Sequence, residues 1–226
     1  MTAAYDNTLR LVTELILGAP PGKPFVAAID GRSGSGKTAF ARRLAENIPC
    51  TVIHTDDYYL PMARRVPDWR KIPCANMDLM RLRQEVLEPF LAGQVGSYRP
   101  YDCQSGTYLP ARAVLPGGVL LIEGSYSHHK ELAWLCDLKI FLTCSQQAQR
   151  ERLQAREGDR YRDFEQLWIP LEEAYIDRYD IGRGGLLMDT TSWFCWYNSG
   201  FAAVIPSKPS RYRSCSRLAP EPHDMV

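Results

Sequence analysis

The residues of this chain best suited to chemistry are in the segment 31–38, which reads Gly-Arg-Ser-Gly-Ser-Gly-Lys-Thr. The segment matches in full the phosphate-binding pattern G-x-x-x-x-G-K-[ST]. Its glycines permit positive φ angles and let backbone N–H groups approach phosphate oxygens. Lys37 supplies a positive charge for the β- and γ-phosphates, and the Thr38 hydroxyl is a ligand that suits Mg²⁺. We therefore expect ATP to be bound by the loop residues Gly31, Ser33, Gly34, Ser35, Gly36, Lys37 and Thr38.

Carboxylates follow two other apolar, β-rich stretches of the chain. Asp56 and Asp57 come after residues 51–55, and Glu123 comes after residues 119–122. Phosphoryl transfer to a hydroxyl requires a carboxylate to take the hydroxyl proton, and this pair supplies the candidates for that base. Because successive extended residues point to opposite faces, only one of the two is expected to point at the reacting centre. Glu123 is expected to hold the hydration shell of Mg²⁺, and Gly124 to leave room for the nucleotide.

Simpler interpretations of these carboxylates remain open. Asp56 and Asp57 could have no role beyond starting a turn or capping a helix, and Glu123 could have none beyond ending a strand. The neighbouring phosphate-binding loop favours the catalytic interpretation, because ligands of parallel α/β sheets bind beyond the carboxyl ends of the strands.

Helical and extended segments alternate along the chain, which is the arrangement needed to bring these residues to one edge of a sheet. This alternation predicts an α/β fold, a three-layer P-loop NTPase/kinase fold with a central parallel sheet. A single domain is expected over residues 1–192, followed by a poorly ordered tail over 193–226 that is rich in Pro, Ser and Arg. The predicted strands are 25–29, 51–55, 119–122, 138–142 and 186–188, and the predicted helices are 9–18, 38–45, 78–92, 146–156 and 161–179.

Composition restricts the class of protein. The chain has 226 residues, 45% of them hydrophobic, and a formal net charge of +1, so neither nucleic acid nor an anionic membrane is expected as its main partner. Its seven cysteines are scattered without a C-x-x-C pair, which favours reduced thiols. No apolar run reaches about 18 residues. These features together predict a cytoplasmic enzyme.

A resemblance to a known family emerges from the order of five motifs. The chain resembles the uridine kinase and phosphoribulokinase family of P-loop kinases over roughly residues 22–190. A further segment, 168–172, is similar to one in bacterial uridine kinase-like proteins. In chain order, the five motifs are 31–38, Asp56-Asp57-Tyr58-Tyr59, Asn76-Met77-Asp78, Tyr101-Asp102 and Glu123-Gly124.

The resemblance implies roles for individual residues. Asp56 would be the catalytic base, and Thr38 with Glu123 would hold Mg²⁺. Substrate would be bound by Asp78, through the ribose hydroxyls, and by the aromatic residues Tyr101 and Tyr58. Arg152 and Arg156 would belong to a lid that closes over the transferring phosphate. Asp78 could equally be a helix N-cap, Tyr101 a core residue, and the two arginines a solvated helix face.

Two departures from the family leave the acceptor open. The loop after Tyr101-Asp102 lacks the histidine that reads a pyrimidine base in nucleoside kinases. The loop 60–75 has no obvious family counterpart; it could be a solvated surface, or it could face a phosphorylated substrate. It carries Arg64, Arg65, Arg70 and Lys71.

We expect an ATP-dependent kinase of a small hydroxyl-bearing substrate, most readily a nucleoside such as uridine. The alternatives are a kinase of a sugar phosphate or pantothenate-like alcohol, and a nucleotide-switched regulatory protein. The absence of an N-K-x-D sequence disfavours a GTPase switch, and the near-neutral charge disfavours a nucleic-acid-stimulated ATPase.

Overall fold

A computed structural model describes residues 3–196. The strands within this part of the chain are β1 (Phe25–Gly31), β2 (Cys50–His54), β3 (Gly96–Tyr98), β4 (Tyr101–Asp102), β5 (Thr107–Tyr108), β6 (Arg112–Val114), β7 (Val119–Glu123), β8 (Leu138–Thr143) and β9 (Leu186–Asp189).

Helices separate the strands of the central sheet. They are α1 (Ala3–Leu17), α2 (Lys37–Asn47), α3 (Leu79–Leu82), α4 (Glu88–Leu91), α5 (Lys130–Ala133), α6 (Gln146–Glu157), α7 (Tyr161–Asp163) and α8 (Ile169–Tyr179). Two π-helical turns, Arg83–Leu87 and Phe164–Trp168, join α3 to α4 and α7 to α8.

The central sheet has five parallel strands in the order β2-β7-β1-β8-β9. Side chains that alternate along the inner strands enter two separate hydrophobic clusters. In β7, Leu120 and Ile122 pack on one face, and Leu121 packs on the other with Phe40 and Leu44 of α2. A parallel sheet must be covered on both faces, so this layering confirms the expected three-layer α/β fold.

Both π-helical turns immediately precede a helix with proline at its start. Pro89 lies in the first turn of α4 and Pro170 in the first turn of α8. Because proline has no N–H to donate to the carbonyl four residues earlier, the regular hydrogen-bond ladder cannot continue there, and the backbone widens locally. The helices predicted over 78–92 and 161–179 are therefore present but contain this change of pitch.

Two short antiparallel ladders, β3–β6 and β4–β5, were not predicted. Their strands are only two or three residues long, which is too short to show a period in the sequence. They form a small layer beside the central sheet and carry the predicted substrate residue Tyr101.

The described chain continues past the expected domain boundary at residue 192. Residues 191–196 form a short 3₁₀ helix, and the Trp193 ring packs edge-on against Tyr5 and stacks on Phe40. The rest of the predicted tail, residues 197–226, lies outside the described residues.

Among the residues that the structure describes, four cysteines have free thiols, as the cysteine pattern predicts: Cys50, Cys74, Cys136 and Cys144. Cys103, which takes part in a disulfide bond, departs from that prediction. Within residues 3–196, no helix combines the length and the apolar character needed to span a membrane.

Candidate active site

The phosphate-binding loop connects the end of β1 to the start of α2. Gly31, Gly34 and Gly36 all have positive φ angles, of 145°, 77° and 95°, as expected. At Gly31 the physical reason differs from the expected one. A Cβ there would lie 2.0 Å from the carbonyl oxygen of Leu142, so this glycine is required by the neighbouring strand β8 and not by the nucleotide.

The carbonyl groups of the loop are bonded to side chains that surround it. Lys37 Nζ donates to the carbonyls of Gly31 (2.6 Å) and Arg32 (3.2 Å). From outside the loop, three side chains donate to the next carbonyls: Gln149 to Ser33 (2.9 Å), Arg152 to Gly34 (3.1 Å) and Thr190 to Ser35 (2.9 Å). These contacts fix the orientation of consecutive peptide groups.

Three amide groups of the same loop, in contrast to its carbonyls, have no hydrogen-bond partner in the described part of the chain. These are the amides of Gly34, Gly36 and Lys37. They lie at the start of α2, where the helix dipole adds positive potential. Oriented amides at a helix N-terminus bind anions, so the loop is built to hold phosphate oxygens.

A possible Mg²⁺ site lies where β7 meets the loop. Thr38 Oγ1 is 3.2 Å from both carboxylate oxygens of Glu123, which is buried. His54 Nδ1 also bonds to Glu123, its register partner across β2 and β7. No cluster of three or more His, Cys, Asp or Glu side chains able to hold a metal occurs in residues 3–196. This set of hard oxygen groups fits Mg²⁺, which binds through few protein ligands together with waters and substrate phosphates.

Gly124 was expected to leave room for the nucleotide, but the structure gives a different reason for a glycine at this position. Its φ is 131°, and a Cβ there would lie 2.0 Å from Thr55 Oγ1. Thr55 in turn donates a hydrogen bond to the carbonyl of Ser125 (3.0 Å). The glycine therefore allows the chain after β7 to pack against the chain after β2, and this contact places Asp56.

Asp56 and Asp57 occupy different environments, as predicted, although not through strand alternation. Both lie in the 3₁₀ helix Thr55–Tyr58 that follows β2. Asp56 is partly exposed, whereas Asp57 is fully buried. Asp57 accepts a hydrogen bond from the Tyr98 hydroxyl (3.3 Å) and lies 3.5 Å from Arg112. Because Asp57 is shielded from solvent and Asp56 is not, Asp56 is the better candidate for contact with a substrate.

The substrate candidates Asp78 and Tyr58 lie side by side, because the Asp78 amide donates to the Tyr58 carbonyl (2.7 Å). Asp78 is the N-cap of α3 and accepts from the amide of Arg81 (3.2 Å), so the alternative role as a cap is present. Its second oxygen lies 3.5 Å from Arg64. Tyr58 is fully buried between Arg81 and Tyr98, so it exposes no surface to a ligand in this structure.

Tyr101 is also buried, in the hairpin beside this pair. Its ring packs edge-on against Tyr108, and Arg81 stacks on Tyr108 at 5.1 Å. Arg81 therefore links the hairpin to Asp78 and Tyr58. Sequence reasoning missed this arginine, since its partners are 24 or more residues away in some cases and its type alone is uninformative.

The two lid candidates have different contacts. Arg152 bonds to the loop carbonyl of Gly34 and to Thr190, and so contacts the nucleotide-binding loop directly. Arg156 is exposed and pairs with the buried Glu157 (2.7 Å). Only Arg152 is brought to the phosphate-binding loop in this structure.

Two buried carboxylates that hold the loop were missed by sequence reasoning. Asp30, which precedes Gly31, accepts from the amides of Gly31 (2.7 Å) and His128 (2.9 Å) and from the hydroxyl of Tyr175 (2.8 Å). Glu172 of α8 accepts from Ser33, whereas the adjacent Glu173 is partly exposed and pairs with Arg32. The only signal in the sequence was an acidic residue at the end of an apolar strand and a pair of adjacent glutamates on a helix.

Comparison with known proteins agrees with this geometry. A family model described as an AAA domain matches residues 28–167. Uridine-cytidine kinase C from Dictyostelium discoideum is 29% identical over 147 residues, which is 63% of this chain and 32% of that protein. A uridine kinase from Deinococcus deserti is 33% identical over 130 residues, which is 53% of this chain and 62% of that protein. The matches span less than two thirds of either relative, and they confirm the resemblance to uridine kinases.

A solved structure shares the fold. It is that of a possible uridine kinase from Bacillus stearothermophilus, with a TM-score of 0.62 and 20% identity, covering 81% of this chain and 98% of that one. At this identity the similarity establishes the three-layer architecture alone.

Replacement of each aspartate after β2 tests which one contacts the reacting hydroxyl. Asp56→Asn is expected to lower kcat by roughly 10²–10⁴-fold, the usual range for general base catalysis, with little change in ATP affinity. Asp57→Asn should lower the melting temperature, since a buried partner of Tyr98 and Arg112 is altered, and should affect kcat less. Steady-state kinetics and thermal unfolding of both variants provide the readout. A larger kcat loss in Asp57→Asn would exchange the two roles.

Proposed function

Since the chain belongs to the AAA domain family, whose phosphate-binding loop it carries intact, we propose that it is an ATP-dependent kinase. It would transfer the γ-phosphate of ATP to a hydroxyl of a small molecule, and a nucleoside such as uridine is the first candidate. The observation that carries this proposal is the loop itself, with carbonyls bonded outward and amides at the start of α2 left for phosphate, next to a partly exposed aspartate.

The loop and Lys37 would bind the triphosphate. Lys37 has three N–H donors, of which two are used by the carbonyls of Gly31 and Arg32, so its charge can also reach a phosphate oxygen. Thr38 and Glu123 would hold Mg²⁺, which would supply positive charge to neutralise the phosphates. Arg152, already bonded to Gly34, would stabilise charge on the transferring group.

Asp56 would act on the acceptor. In the proposed reaction, the acceptor hydroxyl loses its proton to the Asp56 carboxylate while its oxygen forms a bond to the γ-phosphorus. The bond between that phosphorus and the β,γ-bridging oxygen breaks, and ADP leaves. The end of β2 and the 3₁₀ helix after it position this carboxylate, because Thr55 and Tyr58 are both bonded to neighbouring segments.

The cations of the basic loop have contacts within the protein, but two of them stay exposed. Arg65 is buried, and both it and Arg70 stack on the Trp69 ring. Arg64 pairs with Asp78 and Lys71 pairs with Asp68, but these two cations are 60% and 82% exposed. Exposed pairs are weak, so a sugar phosphate stays the alternative acceptor. The named relatives are uridine or uridine-cytidine kinases, which supports a nucleoside.

Measurement of ATP consumption in the presence of different acceptors tests this proposal. We expect stimulation by one class of small hydroxyl compound among nucleosides, sugar phosphates and vitamin alcohols, with nucleosides strongest. Lys37→Ala should abolish the activity and leave the melting temperature unchanged, because the side chain is bonded to loop carbonyls and is not part of the hydrophobic core. Lys71→Ala, an exposed lysine, is the matched control. Stimulation only by a protein partner would support a nucleotide-switched regulator.

Asp78→Asn tests the ribose contact apart from the helix cap. Asparagine is as good an N-cap as aspartate, so the bond to the Arg81 amide and the stability should be kept. Loss of the charged acceptor should raise the KM for a ribonucleoside by about 10- to 100-fold, with the KM for ATP unchanged. The effect should be smaller for a 2′-deoxynucleoside, which lacks one hydroxyl. Equal effects on both nucleosides would leave Asp78 as a helix cap only.

A further inference from the structure

We propose that Glu172 of α8 is a positioning residue for the phosphate-binding loop. Glu172 fixes Ser33 and thereby maintains the affinity of the loop for the triphosphate. The inference rests on the nucleotide-binding part of the proposed function and does not depend on the identity of the acceptor. Glu172 would not touch the nucleotide; it would act through the backbone of the loop.

The contacts of Glu172 are formed almost entirely out of solvent. Its Oε2 accepts from the amide of Ser33 (2.8 Å), and its Oε1 accepts from the hydroxyls of Ser33 (2.7 Å) and Ser125 (2.6 Å). All three residues are buried, with 5%, 4% and 7% of their surface exposed. A buried carboxylate is costly unless hydrogen bonds satisfy it, and here three donors do so.

Every polar group of Ser33 forms a hydrogen bond with another part of the protein. Its amide and hydroxyl bond to Glu172, and its carbonyl accepts from Gln149 of α6 (2.9 Å). The next residue, Gly34, has a φ of 77° and an amide that donates to no group in the described chain. The Gly34 amide shares its peptide plane with the Ser33 carbonyl, so its direction depends on how Ser33 is held. Glu172 on one side of Ser33 and Gln149 on the other therefore determine together where the first phosphate-facing amide points.

The negative charge of Glu172 makes its position near a phosphate-binding loop informative. A carboxylate close to bound phosphates is electrostatically unfavourable, so charge alone does not explain its presence. Its geometry does, since each of the two oxygens meets a donor and the Ser33 amide can only donate. What the loop requires at this place is an acceptor held rigidly by a helix.

The neighbouring Glu173 provides a natural contrast. It forms a two-point ion pair with Arg32 (2.6 and 2.7 Å), but the two side chains are 37% and 28% exposed. Exposed ion pairs contribute little to stability. Arg32 is also held by the hydrogen bond that its backbone amide donates to the carbonyl of Leu142. Loss of Glu173 should therefore disturb the loop much less than loss of Glu172.

The conservative variant separates geometry from charge. In Glu172→Gln, the amide oxygen can accept from the Ser33 amide while the NH₂ group donates to the two serine hydroxyls, which can rotate to accept. We therefore expect Glu172→Gln to bind ATP within about threefold of the unmodified chain. Glu172→Ala should weaken ATP binding by about 10- to 100-fold, since buried donors of the loop lose a charged acceptor.

Isothermal titration calorimetry of the full chain with ATP and Mg²⁺ measures these affinities. Two controls accompany the Glu172 variants. Ser125→Ala removes a partner of the same carboxylate outside the loop, and Glu173→Ala removes the exposed pair; both should bind ATP within about threefold of the unmodified chain. Ser33→Ala removes the hydroxyl but keeps the hydrogen bond from the backbone amide to Glu172, so it should weaken ATP binding to an intermediate extent. This variant preserves the test if Glu172→Ala fails to fold.

Three outcomes are decisive. Weak binding by Glu172→Ala with normal binding by Glu172→Gln and Ser125→Ala supports the proposal. Normal binding by Glu172→Ala, or equally weak binding by Glu172→Gln, overturns it. Failure of the unmodified chain to bind ATP would instead overturn the proposed function, so the two are distinguishable.

Discussion

The structure depends on one arrangement of hydrogen bonds: the carbonyls of Gly31 to Ser35 bond to donors around the phosphate-binding loop. Lys37, Gln149, Arg152 and Thr190 supply side-chain donors from three separate parts of the fold. Because each peptide group is nearly planar, holding the carbonyls of Ser33 and Ser35 fixes the direction of the Gly34 and Gly36 amides, which donate to no group in the described chain. The phosphate-binding surface is thus organised before a ligand arrives, which lowers the entropic cost of binding.

The parallel sheet determines which other groups can join this loop. β1, β2 and β7 are adjacent and parallel, so their carboxyl ends bring the loop, Asp56 and Glu123 to one edge. Glycine at positions 31 and 124 permits close approach of neighbouring chain segments there. The small antiparallel layer and α3 then bring Asp78 and its arginine partners to the same part of the molecule. Under the proposed function, this edge would bring an acceptor site next to the nucleotide site, as phosphoryl transfer between small molecules requires.

Much of this arrangement could be predicted from the sequence because the signals are local. Short apolar strands, helical periodicity and the loop pattern gave the fold and the nucleotide site. Asp56 and Asp57 were correctly assigned to different environments, but a 3₁₀ helix and not strand alternation separates them. The groups that were missed, such as Asp30 and Glu172, contact residues up to 145 positions away. Such contacts follow from the packing of α8 on the loop, which no local pattern encodes.

The most direct test of the account is the fate of the γ-phosphate itself. Phosphorus NMR of the full chain with ATP, Mg²⁺ and uridine would follow each phosphorus atom. If the protein transfers the γ-phosphate to uridine, one uridine monophosphate should form for every ADP, and Lys37→Ala should form none. Release of the γ-phosphate only as inorganic phosphate, with or without a nucleoside or another small hydroxyl compound, would contradict it.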